Sequence, residues 1–153
     1  MLRNVAIAAV LSSGCSMFMH TVEKPKVDVR DVAVTSISLG GTIDGEMRLD
    51  VTNPNAVGVP LSGIDWQLSI GGAPSVSGHV DVSQTIPARG VAPVVAAVRL
   101  NAQDGLGAVQ KVMNGARDYQ LDARLHFSTA LGEISVDVHK DGALSSETLG
   151  AWR

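Results

Sequence analysis

Histidine and carboxylate side chains are the residues of this 153-residue chain with the greatest capacity for acid–base or metal chemistry. Four histidines are present, His20, His79, His126 and His139. His79 and Asp81 lie two apart on one predicted strand face, as a general base and its orienting acid would, although any solvent-facing strand shows this spacing. His126 and His139 fall on adjacent late strands, where two histidines can begin a metal site, but no cysteine or paired acid has recognisable ligand spacing. The sequence therefore predicts solvated polar faces, with no catalytic, metal-binding or cofactor-binding residues.

The other sequence motifs and the net charge argue against phosphate binding, a serine nucleophile elbow and nucleic-acid binding. Gly40-Gly41 and Gly105-x-Gly107 lack the strand–loop–helix setting that phosphate cradles need, and no Gly-x-Ser-x-Gly elbow occurs. A net charge of −3 provides no basic footprint for phosphate neutralisation. We therefore expect a protein that is not an enzyme, binds no nucleic acid and has no identifiable small-molecule substrate.

The first residues form a predicted export signal rather than part of the fold. A short positive start, Met1-Leu2-Arg3, precedes the apolar run of residues 5–11 and the small residues Ser12-Ser13-Gly14. This order is that of a secretory signal. The apolar run is far shorter than the ~20 residues that span a bilayer, so it does not predict a stable transmembrane helix.

Cys15 is the only cysteine, and it follows this signal directly. The segment Leu11-Ser12-Ser13-Gly14-Cys15 resembles the bacterial lipobox, except that leucine stands four rather than three places before the cysteine. The resemblance implies that the Cys15 thiol is acylated, that the chain is cut after Gly14, and that the product is a lipid-anchored protein of the cell envelope. Because Ser16 is not aspartate, the same resemblance implies delivery to the outer membrane, facing the periplasm. An incidental free thiol is the alternative.

From Lys26 onward, apolar and polar side chains alternate, which predicts strands with one buried face. The clearest segment is residues 43–53, where Met47, Leu49 and Val51 alternate with polar neighbours. The first segment changes phase twice, which predicts bulges or a bend. Seven such segments with short connections predict a mainly β fold, a seven-stranded antiparallel β-sandwich of fibronectin- or immunoglobulin-like type.

One segment before the last two strands has helical periodicity. Asn101 or Asp104 can cap its start, and Gly115 can cap its end. Apolar residues at three-to-four spacing predict one buried stripe, formed by Leu106, Val109, Val112 and Met113. We expect this short α-helix to cover one open edge or end of the sheets.

A set of proline, asparagine, aromatic and glycine residues follows the clearest strand and carries a family resemblance. Pro54 cannot donate to a strand ladder and ends the strand, while Asn53 and Asn55 can cap the freed backbone groups. The ordered set resembles the group 2 late-embryogenesis-abundant family, also called the water-stress-and-hypersensitive-response (WHy) domain. The residues that carry the resemblance are Asn53-Pro54-Asn55, Pro60-Leu61, Trp66 and Gly71-Gly72.

This resemblance implies a folded sandwich without catalysis that acts in tolerance of desiccation, freezing or related stress. Its structural signature comprises Asn53, Pro54, Asn55, Pro60 and Trp66. The expected organisation is a signal peptide over residues 1–14, a tether over 15–25 that carries the lipidated Cys15, the sandwich domain over 26–141 and a tail over 142–153. The expected partners are the membrane, through Cys15, and a client or envelope protein. The alternative function is an accessory lipoprotein that docks to an envelope protein complex as a binding module.

Overall fold

The computed structural model describes residues 21–38, 40, 42–74 and 76–144. The predicted signal peptide, Cys15, His20 and the end of the predicted tail lie outside these residues. The described part contains seven strands and one helix, in the order β1 (Lys26–Ile37), β2 (Ile43–Thr52), β3 (Val59–Ile70), β4 (Val76–Ile86), β5 (Val91–Leu100), α1 (Ala102–Met113), β6 (Asp118–Thr129) and β7 (Gly132–Ala143). No helix in this part of the chain has the length and apolar content that crossing a membrane requires.

The strands form two antiparallel sheets, one with the order β1-β2-β5 and one with the order β4-β3-β6-β7. Buried apolar residues from both sheets belong to one hydrophobic core. The predicted fold class is confirmed: the described residues form a mainly β, seven-stranded antiparallel domain with one helix before the last two strands. β7 continues through Gly142 and Ala143, two residues past the predicted domain end, and Leu144 is buried in the core behind it.

The apolar residues that alternate with polar ones in the sequence are the buried residues of the strands. Met47, Leu49 and Val51 of β2 are at most 1% exposed, whereas Arg48 between them is exposed. Since full burial of one large aliphatic side chain stabilises a fold by about 1.5–3 kcal/mol, this alternation fixes which face of each strand points inward. β6 buries a row of the same kind, consisting of Tyr119, Leu121, Ala123, Leu125 and Phe127.

The two phase changes in the first segment are β-bulges, as predicted. The register between β1 and β2 shifts between Val29 and Asp31, and again between Val34 and Ser36. An extra residue in one strand reverses the direction of the side chains that follow it. Val29, Val32 and Val34 are all buried because the first bulge, between Val29 and Asp31, turns the apolar set back toward the core.

The helix begins and ends where the sequence predicts. Asn101 is the N-cap, and its Oδ1 accepts a hydrogen bond of 3.0 Å from the backbone N–H of Asp104. Gly115 has a φ of +94°, in the left-handed region that favours glycine after a helix. α1 contacts β2 and β3, which belong to different sheets, so it covers one end of the sandwich.

The predicted apolar stripe of the helix is wrong at two of its four positions. Leu106 is 55% exposed and Met113 is 72% exposed. The helix instead buries the small residues Gly105 and Ala108, together with Val112. A Cβ at position 105 would lie only 3.3 Å from Cβ of Leu100, so the helix packs against the sheet through its smallest side chains. Close backbone approach therefore decides the buried face, rather than the size of the apolar residues.

The two ends of the sandwich carry different parts of the chain. The tether end contains residues 21–25, the loop 53–58, the turn 87–90 and the turn 130–131, because β1, β5 and β7 begin there beside the ends of their partner strands. The helix end contains α1 and the connection between β3 and β4.

Candidate functional site

The side chain of Asn53 is the only fully buried polar side chain in the described part of the chain, with 0% exposure. Its Nδ2 lies within hydrogen-bond distance of three carbonyl oxygens, those of Val57 (2.8 Å), Pro87 (3.1 Å) and Ile86 (3.2 Å). Its backbone N–H donates to the carbonyl of Gly90 at 2.9 Å. One residue therefore joins the end of β2 to its own loop and to the turn between β4 and β5.

Asn55 extends this network to the incoming N-terminal segment. Its backbone N–H and its Nδ2 both donate to Oδ1 of Asn53 at 3.0 Å. Its Oδ1 accepts from the backbone N–H of Glu23 at 2.8 Å, and its Nδ2 donates to the Glu23 carbonyl at 2.8 Å. The predicted capping by Asn53 and Asn55 is confirmed, and we call Asn53, Asn55 and the backbone groups they bind the asparagine clamp.

The prolines of the signature delimit the two strands around the clamp. β2 ends at Thr52, two residues before Pro54, and β3 begins at Val59, next to Pro60. Pro60 is exposed at the start of β3, where its missing N–H removes no bond from a central position. Beyond the end of β2, where Pro54 cannot continue the strand pairing, the side chain of Asn53 binds the backbone groups of the loop instead.

Trp66, the aromatic residue of the signature, packs in the core and is 5% exposed. It lies opposite Gly78 of β4 in the strand register. A Cβ at position 78 would lie 2.5 Å from the indole ring, so the indole occupies the space that a side chain there would take. The role of Trp66 in the described structure is packing.

The outer face of the four-stranded sheet carries a network of histidines and acids centred on Asp65. Nδ1 of His79 lies 2.6 Å from one oxygen of Asp65, and Nε2 of His126 lies 2.7 Å from the other. Asp81 is 3.2 Å from Nε2 of His79, and Glu133 is 2.9 Å from Nδ1 of His126. We call these five residues the histidine–acid network.

The network consists of exposed ion pairs on an open surface. Asp65 is 53% exposed and Asp81 is 97% exposed, whereas His126, at 20%, is the least exposed member. Hydrogen bonds to Asp65, then to Asp81 or Glu133, raise the pKa of His79 and His126. Hydrogen bonds from His126 and then His79 lower the pKa of Asp65. Each charge stabilises its partner, and water reaches most of the pairs.

His139 forms a separate cluster on the same face. Its Nδ1 lies 2.7 Å from Asp122, and its Nε2 lies 3.2 Å from Asp141. In the register of β6 and β7, His139 is opposite Asp122, whereas His126 is opposite Ser135. Four residues of strand, roughly 13 Å, therefore separate the two histidines along the sheet. The two-histidine metal site considered from the sequence does not form.

The chemistry available to this face is proton exchange with solvent. The face holds a shallow, open depression between the two histidine clusters, with Arg124 and Asp137 paired at 2.6 Å among its lining residues. Within residues 21–38, 42–74 and 76–144, no group of three or more His, Cys, Asp or Glu side chains has an arrangement that could hold a metal ion. The buried asparagine clamp is a structural element without a reactive group.

Sequence reasoning missed two residues that the structure makes central. Asp65 bridges His79 and His126, but the alternation of β3 shows only that its side chain points outward. Glu23 belongs to a segment without periodicity, and only its backbone takes part in the clamp. No local signal identifies either contact because the partners lie 14 to 61 residues away in sequence.

The fold and the clamp define a class of protein: a seven-stranded antiparallel sandwich in which the first asparagine of an Asn-Pro-Asn turn is buried at one end of the sheets. Residues 48–142, more than half of the chain, match the family described as late embryogenesis abundant protein. The chain belongs to this late embryogenesis abundant family, LEA_2. No curated protein sequence matches it significantly.

Solved structures similar to this chain share its fold at low sequence identity. A solution structure of AT1g01470 from Arabidopsis thaliana is 18% identical, with a TM-score of 0.65, and the match covers 82% of this chain and 83% of that one. A crystal structure of a protein from Archaeoglobus fulgidus is 12% identical, with a TM-score of 0.56, and the match covers 82% of this chain and 98% of that one. At these identities the likeness establishes the fold.

We predict that Asn53→Ala destabilises the domain far more than Asn55→Ala. The first substitution leaves buried backbone groups without partners, at about 1–3 kcal/mol for each unsatisfied group, so the free energy of unfolding should fall by about 3 kcal/mol. Asn55 is only half-buried, and its loss should lower the same quantity by about 1 kcal/mol. Urea unfolding followed by circular dichroism measures both values, and equal effects would contradict the central place of Asn53.

We also predict that Asp65→Asn lowers the pKa of both His79 and His126 toward its ordinary value. In the wild type, the stabilisation from these pairs is fully present between the ordinary aspartate pKa of about 3.9 and the ordinary histidine pKa of about 6.5, and it is lost as pH rises through the raised histidine pKa. It is also lost at the acid end, as pH falls through the lowered pKa of Asp65. NMR titration of the histidine rings measures the change.

His139 is the internal control for this titration. Its pKa is raised by hydrogen bonds to Asp122 and then Asp141, neither of which Asp65 touches. Its titration should be the same in the wild type and in Asp65→Asn. Unchanged titration of His79 and His126 would rule out the network as described.

Proposed function

We propose that this protein is a non-catalytic, lipid-anchored protein of the cell envelope that protects neighbouring proteins during desiccation, freezing or related stress. Membership of the late embryogenesis abundant family supports the link to stress. The lipobox-like segment that ends at Cys15 supports the anchor, with delivery to the outer membrane as the expected destination. Multiple acyl chains give a durable anchor because each buried methylene adds ~0.8 kcal/mol of membrane affinity.

The observation that carries the protective function is the paired, hydrated outer face of the four-stranded sheet. Its acids have cationic or histidine partners within the same face: Asp65 with two histidines, Asp122 with His139, and Asp137 with Arg124. A partly unfolded neighbour exposes apolar surface and aggregates by burying it. A folded protein whose large face is polar and internally paired can separate such neighbours without joining their aggregates, and its net negative charge opposes self-association.

The arrangement of ionisable groups supports a function without catalysis. The histidine–acid network lies on an open sheet face rather than in an enclosed pocket, and its carboxylates are at least half exposed. An active site that shifts pKa values for catalysis depends on burial and excluded water. Here the pKa shifts arise from partners within one exposed surface.

One observation favours the second candidate, an accessory lipoprotein that docks to an envelope protein complex. β5 is the edge strand of its sheet, and its outer face exposes Val91 (59%) and Val95 (58%). An edge strand with apolar outward side chains is a surface on which another chain can pair. A single stoichiometric partner in pull-downs from solubilised envelope, lost in Val95→Lys, would favour docking over general protection.

For the anchor, we predict that a fatty-acid analogue labels the wild-type protein in cells and does not label Cys15→Ala. The variant lacks the only thiol in the chain, so it should also leave the membrane fraction. Ser16→Ala is the matched control, because it changes the adjacent residue and keeps the acyl acceptor. Labelling of Cys15→Ala would show that the anchor is attached elsewhere, and absence of labelling in the wild type would show that the proposed anchor does not exist.

For protection, we predict that the chain from Cys15 onward, without acyl groups, preserves a labile enzyme through freeze–thaw better than an equal mass of a neutral control protein. The double variant Arg124→Ala/Asp137→Ala keeps the net charge and removes one ion pair from the outer face, so it should preserve less activity. Recovered enzyme activity is the measurement. Parity between the wild type and the neutral control protein would overturn the proposed protection.

A further inference from the structure

The direction in which the chain reaches the domain from Cys15 is fixed by the asparagine clamp. Glu23 makes two hydrogen bonds of 2.8 Å to the side chain of Asn55, one through its N–H and one through its carbonyl. Asn55 is in turn held by the buried Asn53. Glu23, eight positions after Cys15, therefore lies at the tether end and is attached to the core of the domain.

The length of chain before this point limits how the domain can face the membrane. Glu23 follows Cys15 by eight positions, and eight extended steps span at most about 29 Å. The ten residues of β2 are about 33 Å long, and α1 adds a layer of about 10 Å at the far end. With the helix end on the bilayer, Glu23 would stand more than about 40 Å from it, beyond the reach of the tether.

The tether end also presents two exposed apolar tips. Val57, in the loop after β2, is 62% exposed, and Leu131, in the turn between β6 and β7, is 73% exposed. Both tips are held by local hydrogen bonds. The carbonyl of Val57 accepts from Asn53 at 2.8 Å, and the N–H of Leu131 donates to Oγ1 of Thr129 at 3.2 Å. Rigid apolar tips can enter an interface without an additional ordering step.

Exposed apolar residues alone do not decide the orientation, because the helix end has them too. Leu106 and Met113 of α1 are 55% and 72% exposed. The tether length excludes that end, and the charged outer face of the four-stranded sheet is unsuited to lying flat on lipid. Arg89, exposed at the turn between β4 and β5, adds a cation at the tether end that would favour an anionic lipid surface.

We propose that the tether end faces the bilayer that holds the acyl chains of Cys15, and that Val57 and Leu131 enter its interface. This inference rests on the proposed lipid anchor. It assigns a lipid-binding surface to this end of the domain, and it leaves the paired face of the four-stranded sheet directed sideways, toward neighbouring proteins. The asparagine clamp then sets the orientation of the whole domain on the membrane.

The experiment uses the single thiol to separate orientation from cellular lipidation. The chain from Cys15 onward, which keeps every described residue, is coupled through Cys15 to a maleimide lipid in phosphatidylcholine–phosphatidylglycerol vesicles. Tryptophan is introduced at one position at a time in a Trp152→Phe background, as Val57→Trp or Leu131→Trp at the tether end, and the emission of the buried Trp66 is subtracted with the Trp152→Phe protein as reference. Leu106→Trp and Met113→Trp are the matched controls at the helix end, with similar exposure.

We expect the emission of the two tether-end probes to shift to the blue on coupling and to be quenched by brominated lipid, while the helix-end probes show neither change. All four substitutions are at exposed positions, and circular dichroism identifies any variant that fails to fold. Absence of quenching at both tether-end probes, or equal quenching at the two ends, would overturn the inference. Since coupling does not need cellular acylation, a failure of fatty-acid labelling in cells would instead refute the proposed anchor.

Discussion

The buried amide of Asn53 is the interaction on which the arrangement of this domain depends. A fully buried polar side chain is stable only when its hydrogen bonds are made, and Asn53 satisfies its amide with backbone groups from two separate connections. Those connections, 53–58 and 87–90, both cross from one sheet to the other. A single side chain therefore fixes the two crossovers, and through Asn55 it also fixes the entry of the chain. Pro54 beside it prevents β2 from extending into this space.

The polar outer face shows why exposed histidines and acids need not form a reactive site. His79 and His126 share Asp65, and each has a second acid as a partner, so the network is internally satisfied. Water screens pairs at this exposure, and surface ion pairs of this kind contribute little to stability. Their effect is on the character of the surface: it is hydrated, has few unpaired charges among the described residues, and presents little apolar area. Such a surface suits a protein that stays soluble beside partly unfolded neighbours.

The asparagine clamp also connects the structural signature of the family to the function proposed for this chain. In most domains a short N-terminal tether is free to rotate, so an anchor on it does not determine which surface of the domain meets a partner. Here Glu23 is bound to the same asparagines that join the sheets, so the chain enters the sandwich at a fixed point. The proposed anchor at Cys15 would then hold the domain upright and expose the paired face to other proteins instead of to lipid. Fold stability and presentation at a membrane would then depend on the same few hydrogen bonds.

The sequence by itself determined the strands, the two bulges of β1, the glycine after the helix and the capping role of Asn53 and Asn55, and it narrowed the helix N-cap to Asn101 or Asp104. Each of these follows from local rules: alternation of burial, the missing N–H of proline, and side chains that reach backbone groups nearby. Only the tertiary structure decided which helix face is buried and which acid joins the histidines. β3 pairs with β6, although β4, β5 and α1 lie between them in sequence. This pairing brings His126 close to Asp65. Alternation fixes the face to which a side chain points, whereas its neighbour on that face depends on long-range strand order.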